Sequence, residues 1–448
     1  MEKLKFERPF IKKVSTGLPA KFGSKNRMTA INEIDGIPVD RLLADYGSPL
    51  FVLSEKTIRK TINEAKSAFS TRYPKVQFAW SYKTNYLDAV CKIFHQEGSW
   101  AEVVSEFEYE KAIQNGVAGS QIIFNGPEKS SKALELAILN HSLIHIDHFD
   151  ELYLLIELSK KLGIKSKVAI RVNMDTGIYP QWDRFGFNYE NGEAWEALNR
   201  ILLSGVLDLA GLHTHIGTYI TTPSAYRVAT SKLANLMVEI QHKYNHTIKY
   251  IDVGGGFASK NTLRGSYLQG YDTAPSFDEY ADAITSALIN STIKPNDLPL
   301  LILETGRALI DEAGSLLTTV IANKRLPDGR RATIIDAGVN ILFTSFWYDH
   351  TVSPTSLGTD HTEETIIYGP LCMNIDIIRP AVILPLVKKG DQLVVQRVGA
   401  YNMTQWMQFI TMRPSVALID TTQNAHIIRK KETIDTLKQQ EHLPNHLN

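Results

Sequence analysis

Between residues 45 and 310, short apolar runs alternate with longer amphipathic stretches, and this alternation constrains the fold more than any other property of the chain. The runs at 51–53, 77–80, 122–124, 143–146, 167–172, 209–213, 250–253 and 298–303 read as strands. Between them lie helical patterns, at 56–69 and at 149–162, where Leu152, Leu155, Leu158 and Leu162 recur at helical spacing. Strand-helix units in this number predict an α/β fold, a parallel (β/α)8 barrel over 45–310.

Past Arg307 the pattern changes. Runs at 315–322, 332–335, 365–367, 392–398 and 415–419 read as strands joined by turns, with Pro327-Asp328-Gly329 and Lys389-Gly390-Asp391 as turn signals. Residues 311–448 therefore read as a mostly β C-terminal domain, which residues 1–44 join. The 448 residues are 44% hydrophobic and 21% charged, as in a soluble globular protein of two or three domains. Lys plus Arg equals Asp plus Glu at 48 each, so neither nucleic acid nor an anionic membrane surface is an expected partner. No apolar run approaches membrane-spanning length. The first residues lack the apolar region of a signal peptide, and Cys91 and Cys372 are the only cysteines, which together suggest a cytoplasmic protein without disulfides.

Several segments carry chemistry. Lys83, in Ser-Tyr-Lys-Thr-Asn, follows an apolar run, and a lysine at the end of a barrel strand points into the mouth where active sites sit. A partly desolvated amine there can form a Schiff base; a solvated lysine fits the segment equally. Gly254, Gly255 and Gly256 after Asp252-Val253 let backbone N–H groups close on a phosphate, or simply make a flexible turn. Glu304-Thr305-Gly306-Arg307 sets a carboxylate that can keep a pyridine nitrogen protonated beside an arginine able to pair with phosphate; a surface ion pair is the plainer reading. His213 and His215 could be a metal pair, but the sequence offers no third or fourth ligand at suggestive spacing, and His215 stacking on a cofactor ring is the sharper idea. Cys372 and Asp376 lie close together in the β region, although a buried inert cysteine is the commoner case.

Taken in this order, the segments resemble the fold-type III pyridoxal-phosphate (PLP) decarboxylases, the group of the diaminopimelate, ornithine and arginine decarboxylases, with alanine racemase more distant. Further matches are Glu102-Val-Val-Ser, Phe124-Asn-Gly-Pro-Glu-Lys-Ser, Asp183-Arg-Phe-Gly and Asp336-Ala-Gly, so the resemblance runs over about residues 47–414. It implies PLP held by Lys83, with His215 stacked on the ring and Glu304 against the ring nitrogen. Arg171 lies near the ring oxygen. Thr218, Gly254, Gly255, Gly256 and Tyr401 would serve the phosphate, and Arg307 the phosphate or a substrate carboxylate. Cys372 would protonate the carbanion left after CO2 departs. In the family this cysteine is lent across a dimer interface, so an obligate homodimer is implied.

The departures bear on the substrate. Glu102 replaces an aspartate, Glu-Thr-Gly-Arg replaces Glu-Pro-Gly-Arg, and Thr218-Tyr219 replaces Ser-Gln. Met373 stands where diaminopimelate decarboxylases carry a glutamate that holds the distal amino-acid end. Asp376 is the candidate to supply that charge instead, and Gln405, Trp406, Gln408 and Phe409 are expected to form a broader, partly apolar wall. The expected activity is decarboxylation of an amino acid, a non-standard one in a biosynthetic pathway, with meso-diaminopimelate as the alternative substrate. An amino-acid racemase or a silent PLP-binding homologue is the competing reading. A metal hydrolase would need a further ligand beside His213 and His215.

Overall fold

The computed structural model describes residues 29–358 and 361–447. The first strand longer than two residues is β1 (Leu50–Ser54). Eight parallel strands follow: β2 (Val76–Ser81), β3 (Trp100–Val103), β4 (Ile122–Phe124), β5 (Leu143–Ile146), β6 (Ser166–Asn173), β7 (Leu207–His213), β8 (Tyr250–Asp252) and β9 (Leu300–Leu303). Each pairs with the next, and β9 returns to β2, with Leu303 opposite Phe78, so the sheet closes into a barrel. Ala79, Ile123, Ala169, Ala210 and Ile302 fill the interior as a separate apolar cluster. Local chemistry sets the helices around it. Ser54 Oγ accepts from Thr57 N at 3.0 Å to start the helix Glu55–Ser70, which buries Ile58, Ile62, Ala65 and Phe69. The helix Phe149–Leu162 ends at Gly163, whose φ of 65° is left-handed.

The β domain contains β10 (Gly314–Arg325), β11 (Arg331–Ile335), β12 (Val352–Pro354), β13 (Thr362–Tyr368), β14 (Ile377–Pro385), β15 (Gln392–Gln396), β16 (Ser415–Ile419) and β17 (Ala425–Arg429). Its main path runs β14-β13-β11-β10-β1-β16-β17, with β15 on β10 and β12 on β15. The described part of the N-terminal segment packs here: Val39, Leu42 and Leu43 join Leu50, Leu317 and Ala417 in one core cluster. Residues 1–28 of that segment lie outside the described residues.

Two expectations are corrected. The run at 51–53 is not a barrel strand. β1 pairs antiparallel with β10 and parallel with β16, so the β sheet extends to Ser54 and the barrel begins after it. The eighth barrel strand is β3, where Glu102 interrupts the apolar run. β14 was not expected as a strand; it carries Pro380 and Pro385, which a terminal strand of the sheet path tolerates. Among the described residues no helix is long and apolar enough to cross a membrane.

Candidate active site

The C-terminal ends of the barrel strands, where such barrels build their sites, converge on Lys83. A single 3-10 turn, Tyr82–Thr84, follows β2 and turns this lysine inward. Its Nζ donates to both oxygens of Glu102 on β3, at 2.8 and 2.7 Å. Burial alone would lower the Lys83 pKa, but the charges of Glu102, Tyr401 and Glu304 outweigh it and raise the pKa. Lys83 is therefore held as an ammonium in this arrangement. Asn125, after β4, joins the two carboxylates: its Nδ2 donates to Glu304 Oε1 at 2.5 Å and to Glu102 Oε1 at 3.1 Å.

Beneath Glu304 lies a buried polar cluster. His145, His213, Asp252 and Glu304 bring one donor atom each within 4.8 Å of one another. His213 Nε2 stands 3.5 Å from Glu304 Oε2. These are partners for His213 that sequence spacing did not reveal, because they come from or just after three other strands. Burial first, then the surrounding cations, push His213 and His215 well below the ordinary histidine range, so both are neutral. Burial and the adjacent Glu304 push Asp252 well above the carboxylate range, so the pair does not carry two full charges. His215 lies in the mouth. Gly255 N–H donates to its Nδ1 at 3.1 Å, which fixes the proton on Nε2, and its ring stands 5.5 Å from Trp182.

The three glycines are required by contact. A Cβ on Gly255 would stand 2.4 Å from Glu304 O, and one on Gly256 2.2 Å from Gly217 O. Gly254 and Gly256 also have φ of +69° and +89°. Arg171, half-buried on β6, stands 3.7 Å from Asp147 and stacks on Phe185 at 4.5 Å. Arg307 lies within 4.9 Å of the ring centres of Tyr348 and Tyr401, with Asp311 3.8 Å away. Its buried Nη1 has no hydrogen-bond partner. Tyr401 is delivered by the β domain, its N–H donating to Thr84 O at 2.8 Å.

These residues enclose a cavity of about 580 Å3, lined by Lys83, His215, Thr218, Gly256, Glu304, Arg307 and Tyr401, and by Trp182, Tyr219, Trp347 and Tyr348. A larger open groove of about 840 Å3 lies along the outer face of the helix Glu55–Ser70, away from Lys83. Its one lysine, Lys260, pairs with Glu312 at 2.7 Å.

Six expected residues do not line the cavity, Arg171, Gly254 and Gly255 among them. Cys372 is exposed and Met373 half-buried, and neither lines it. Asp376 is corrected. Its carboxylate accepts from Val339 N at 2.8 Å and Leu371 N at 2.7 Å, so it is spent on shaping its own loop. The expected wall at 405–409 is corrected too. Trp406 is buried against Phe51 and Arg429, Phe409 is exposed, and none of the four residues lines the cavity. The aromatic wall comes instead from Trp182, Tyr219, Trp347 and Tyr348. The mid-strand charge of Glu102 and the Asn-Gly-Pro after β4 were signals for two of the missed residues. Nothing in the sequence pointed to Trp347 and Tyr348.

A lysine, a carboxylate, a glycine cradle and a buried guanidinium with a free N–H at one barrel mouth suit a phosphate-bearing pyridine cofactor. A family model described as the pyridoxal-binding domain of pyridoxal-dependent decarboxylases matches residues 57–311. The chain belongs to that family and is a pyridoxal-dependent decarboxylase. It is similar to diaminopimelate decarboxylase of Bacillus subtilis, 29% identical over 420 residues, covering 90% of this chain and 94% of that one. Diaminopimelate decarboxylase of Methanocaldococcus jannaschii is 29% identical over 433 residues, covering 92% and 95%. The crystal structure of the M. jannaschii enzyme in complex with L-lysine has a TM-score of 0.86 at 29% identity, covering 93% of this chain and 97% of that one.

Proposed function

We propose that Lys83 carries PLP and that this chain decarboxylates an α-amino acid in the 580 Å3 cavity. The observation that carries the reading is the convergence of Lys83, Glu304 and the tightly packed Gly254–Gly256 turn at one barrel mouth. Gly256, Thr218, Tyr401 and Arg307 Nη1, which makes no hydrogen bond, would supply N–H and O–H groups for the phosphate, while Gly255 N–H is spent on His215. His215, neutral and pinned by Gly255 N–H, offers its ring face to the pyridine. Glu304, fixed by Asn125, would serve the ring nitrogen. Arg171, beside Asp147 and Phe185, would serve the ring oxygen.

When bound, PLP supplies the electron sink that lets the Cα–carboxylate bond break. Lys83 would be the residue that holds PLP, and Glu102 would keep its Nζ in place whenever the amine is free. Cys372 Sγ gives a proton to Cα. Because Cys372 is exposed and outside the cavity of its own chain, we assign it to the site of a second copy in a homodimer. The names of the relatives make meso-diaminopimelate the alternative substrate. Against it stand Met373 and the occupied carboxylate of Asp376, which leave no acid on that loop for a distal ammonium. CO2 release from an amino-acid panel tests the reading. The wild-type protein with PLP should release CO2 from at least one amino acid and Lys83→Ala should not; equal release from both would refute it.

A further inference from the structure

Two carboxyl groups stand side by side inside the barrel without a cation between them. Asp252 ends β8 and is fully buried; Glu304 follows β9 and is nearly so. One oxygen of each lies within 4.8 Å of the other and of a nitrogen from both His145 and His213. Asp252 Oδ1 accepts from Gly254 N at 2.8 Å, and among the described residues its Oδ2 has no hydrogen-bond partner.

The cations around the pair are engaged elsewhere. Lys83 is held by Glu102, and Arg171 stands 3.7 Å from Asp147. Lys129 pairs with Glu151 at 2.8 Å and donates to Gly126 O and His145 O. Burial first keeps His145 and His213 well below the ordinary histidine range, so neither supplies a charge. Tyr250, the other titratable group of this layer, shares a hydrogen bond of 3.0 Å with His145 Nε2. Two ionised carboxylates this close, out of reach of water, would repel each other and both lose their hydration. One proton shared by the pair removes both penalties. Glu304 accepts from Asn125 Nδ2 at 2.5 Å and opens onto the cavity, as an anion does. Asp252 lies deeper, with one oxygen taken by an N–H and the other free to carry the proton.

We infer that Asp252 is an uncharged carboxylic acid that donates its O–H to Glu304, a positioning residue that keeps Glu304 as the anion serving the ring nitrogen. The part played toward the cofactor rests on the proposed function; the proton on Asp252 does not. Every group involved comes from one barrel, so the pair is complete within one chain.

Asp252→Asn tests this on the full-length protein, with and without PLP. Asparagine keeps the acceptor for Gly254 N and puts an N–H in place of the O–H, but it carries no titrating proton. Without PLP, unfolding in urea is compared between pH 5 and pH 7. The folded wild type keeps a proton that the unfolded chain releases above about pH 4, so the wild type loses stability relative to the variant as pH rises. The ratio of wild-type to variant unfolding constants should grow at least about tenfold over that range. Glu108, His145 and His213 are the same in both proteins, so their titration cancels. A flat or falling ratio would mean that Asp252 is ionised in the fold and would overturn the inference. A metal ion that copurifies stoichiometrically and is lost from Asp252→Asn would put a cation in place of the proton and also overturn it.

With PLP, Asp252→Ala, which removes the donor, should weaken cofactor binding by about tenfold and alter the pH response of the visible band. Asp252→Asn should recover both. Asparagine failing to recover them would remove the donor role; if the alanine variant does not fold, the unfolding comparison decides alone. The expected pH dependence in a protein that shows no PLP band would sustain the proton on Asp252 and refute the cofactor reading of the preceding section.

Discussion

Replacing Asp376 by alanine separates a loop-forming carboxylate from a substrate-binding one. Asp376 is almost wholly buried, and its oxygens accept from Val339 N at 2.8 Å and Leu371 N at 2.7 Å. Its side chain also lies against Gly338 and Gly369, where an added Cβ would stand 3.0 and 2.4 Å from the carboxylate. Truncation strands two N–H groups, each costing about 1–3 kcal/mol when buried. Cys372, Asn374 and Ile375 beside it are exposed, so water can reach part of the gap and the lower half of the sum applies. The expected loss is about 2–4 kcal/mol of unfolding free energy in urea, with Asp376→Asn, which keeps one acceptor, losing about half as much. Substrate preference across the amino-acid panel should not move. Unchanged stability together with a selective loss of affinity for lysine would mean that the carboxylate meets substrate, and would refute the assignment.

Cys372→Ala should lower kcat while substrate binding, followed by the cofactor absorbance, persists; normal turnover would remove Cys372 from proton transfer. Gly256→Ala combines a positive φ with a 2.2 Å approach to Gly217 O, so PLP affinity should fall by at least about tenfold at a cost of about 2–4 kcal/mol, measured by equilibrium titration. Burial raises the Glu108 pKa to about 7, so the folded state binds a proton that the unfolded state releases, and stability is lost as pH rises from about 4.5 to about 7. Glu108→Gln can still accept from Val104 N and should gain about 1–3 kcal/mol at pH 8 but not at pH 4, read from thermal or urea unfolding.

The barrel was legible because its parallel strands are buried on both faces, so they read as apolar runs whose ends carry the chemistry. The same property explains the misplaced strand. All five residues of β1 are buried, and the helix Glu55–Ser70 follows it directly, so it has the look of a barrel unit while pairing with β10 and β16. β3 failed the same test for the opposite reason: Glu102 faces Lys83 inside the barrel, where a strand with no charge was expected. Lys83, His215, Glu304 and the glycines follow strand ends in sequence and could be read locally. The wall at Trp347 and Tyr348 depends on how the β domain packs on the barrel, and the use of Asp376 on backbone N–H groups depends on a turn. Neither is written in local periodicity.

The central claim is that Lys83 holds the cofactor. Borohydride reduction of the PLP-loaded protein, followed by peptide mass spectrometry, tests it directly. The account predicts a reduced pyridoxyl group on the peptide at Lys83 and its loss, with the visible band, in Lys83→Ala. An unmodified Lys83, or a pyridoxyl group on another lysine such as Lys129, would contradict it.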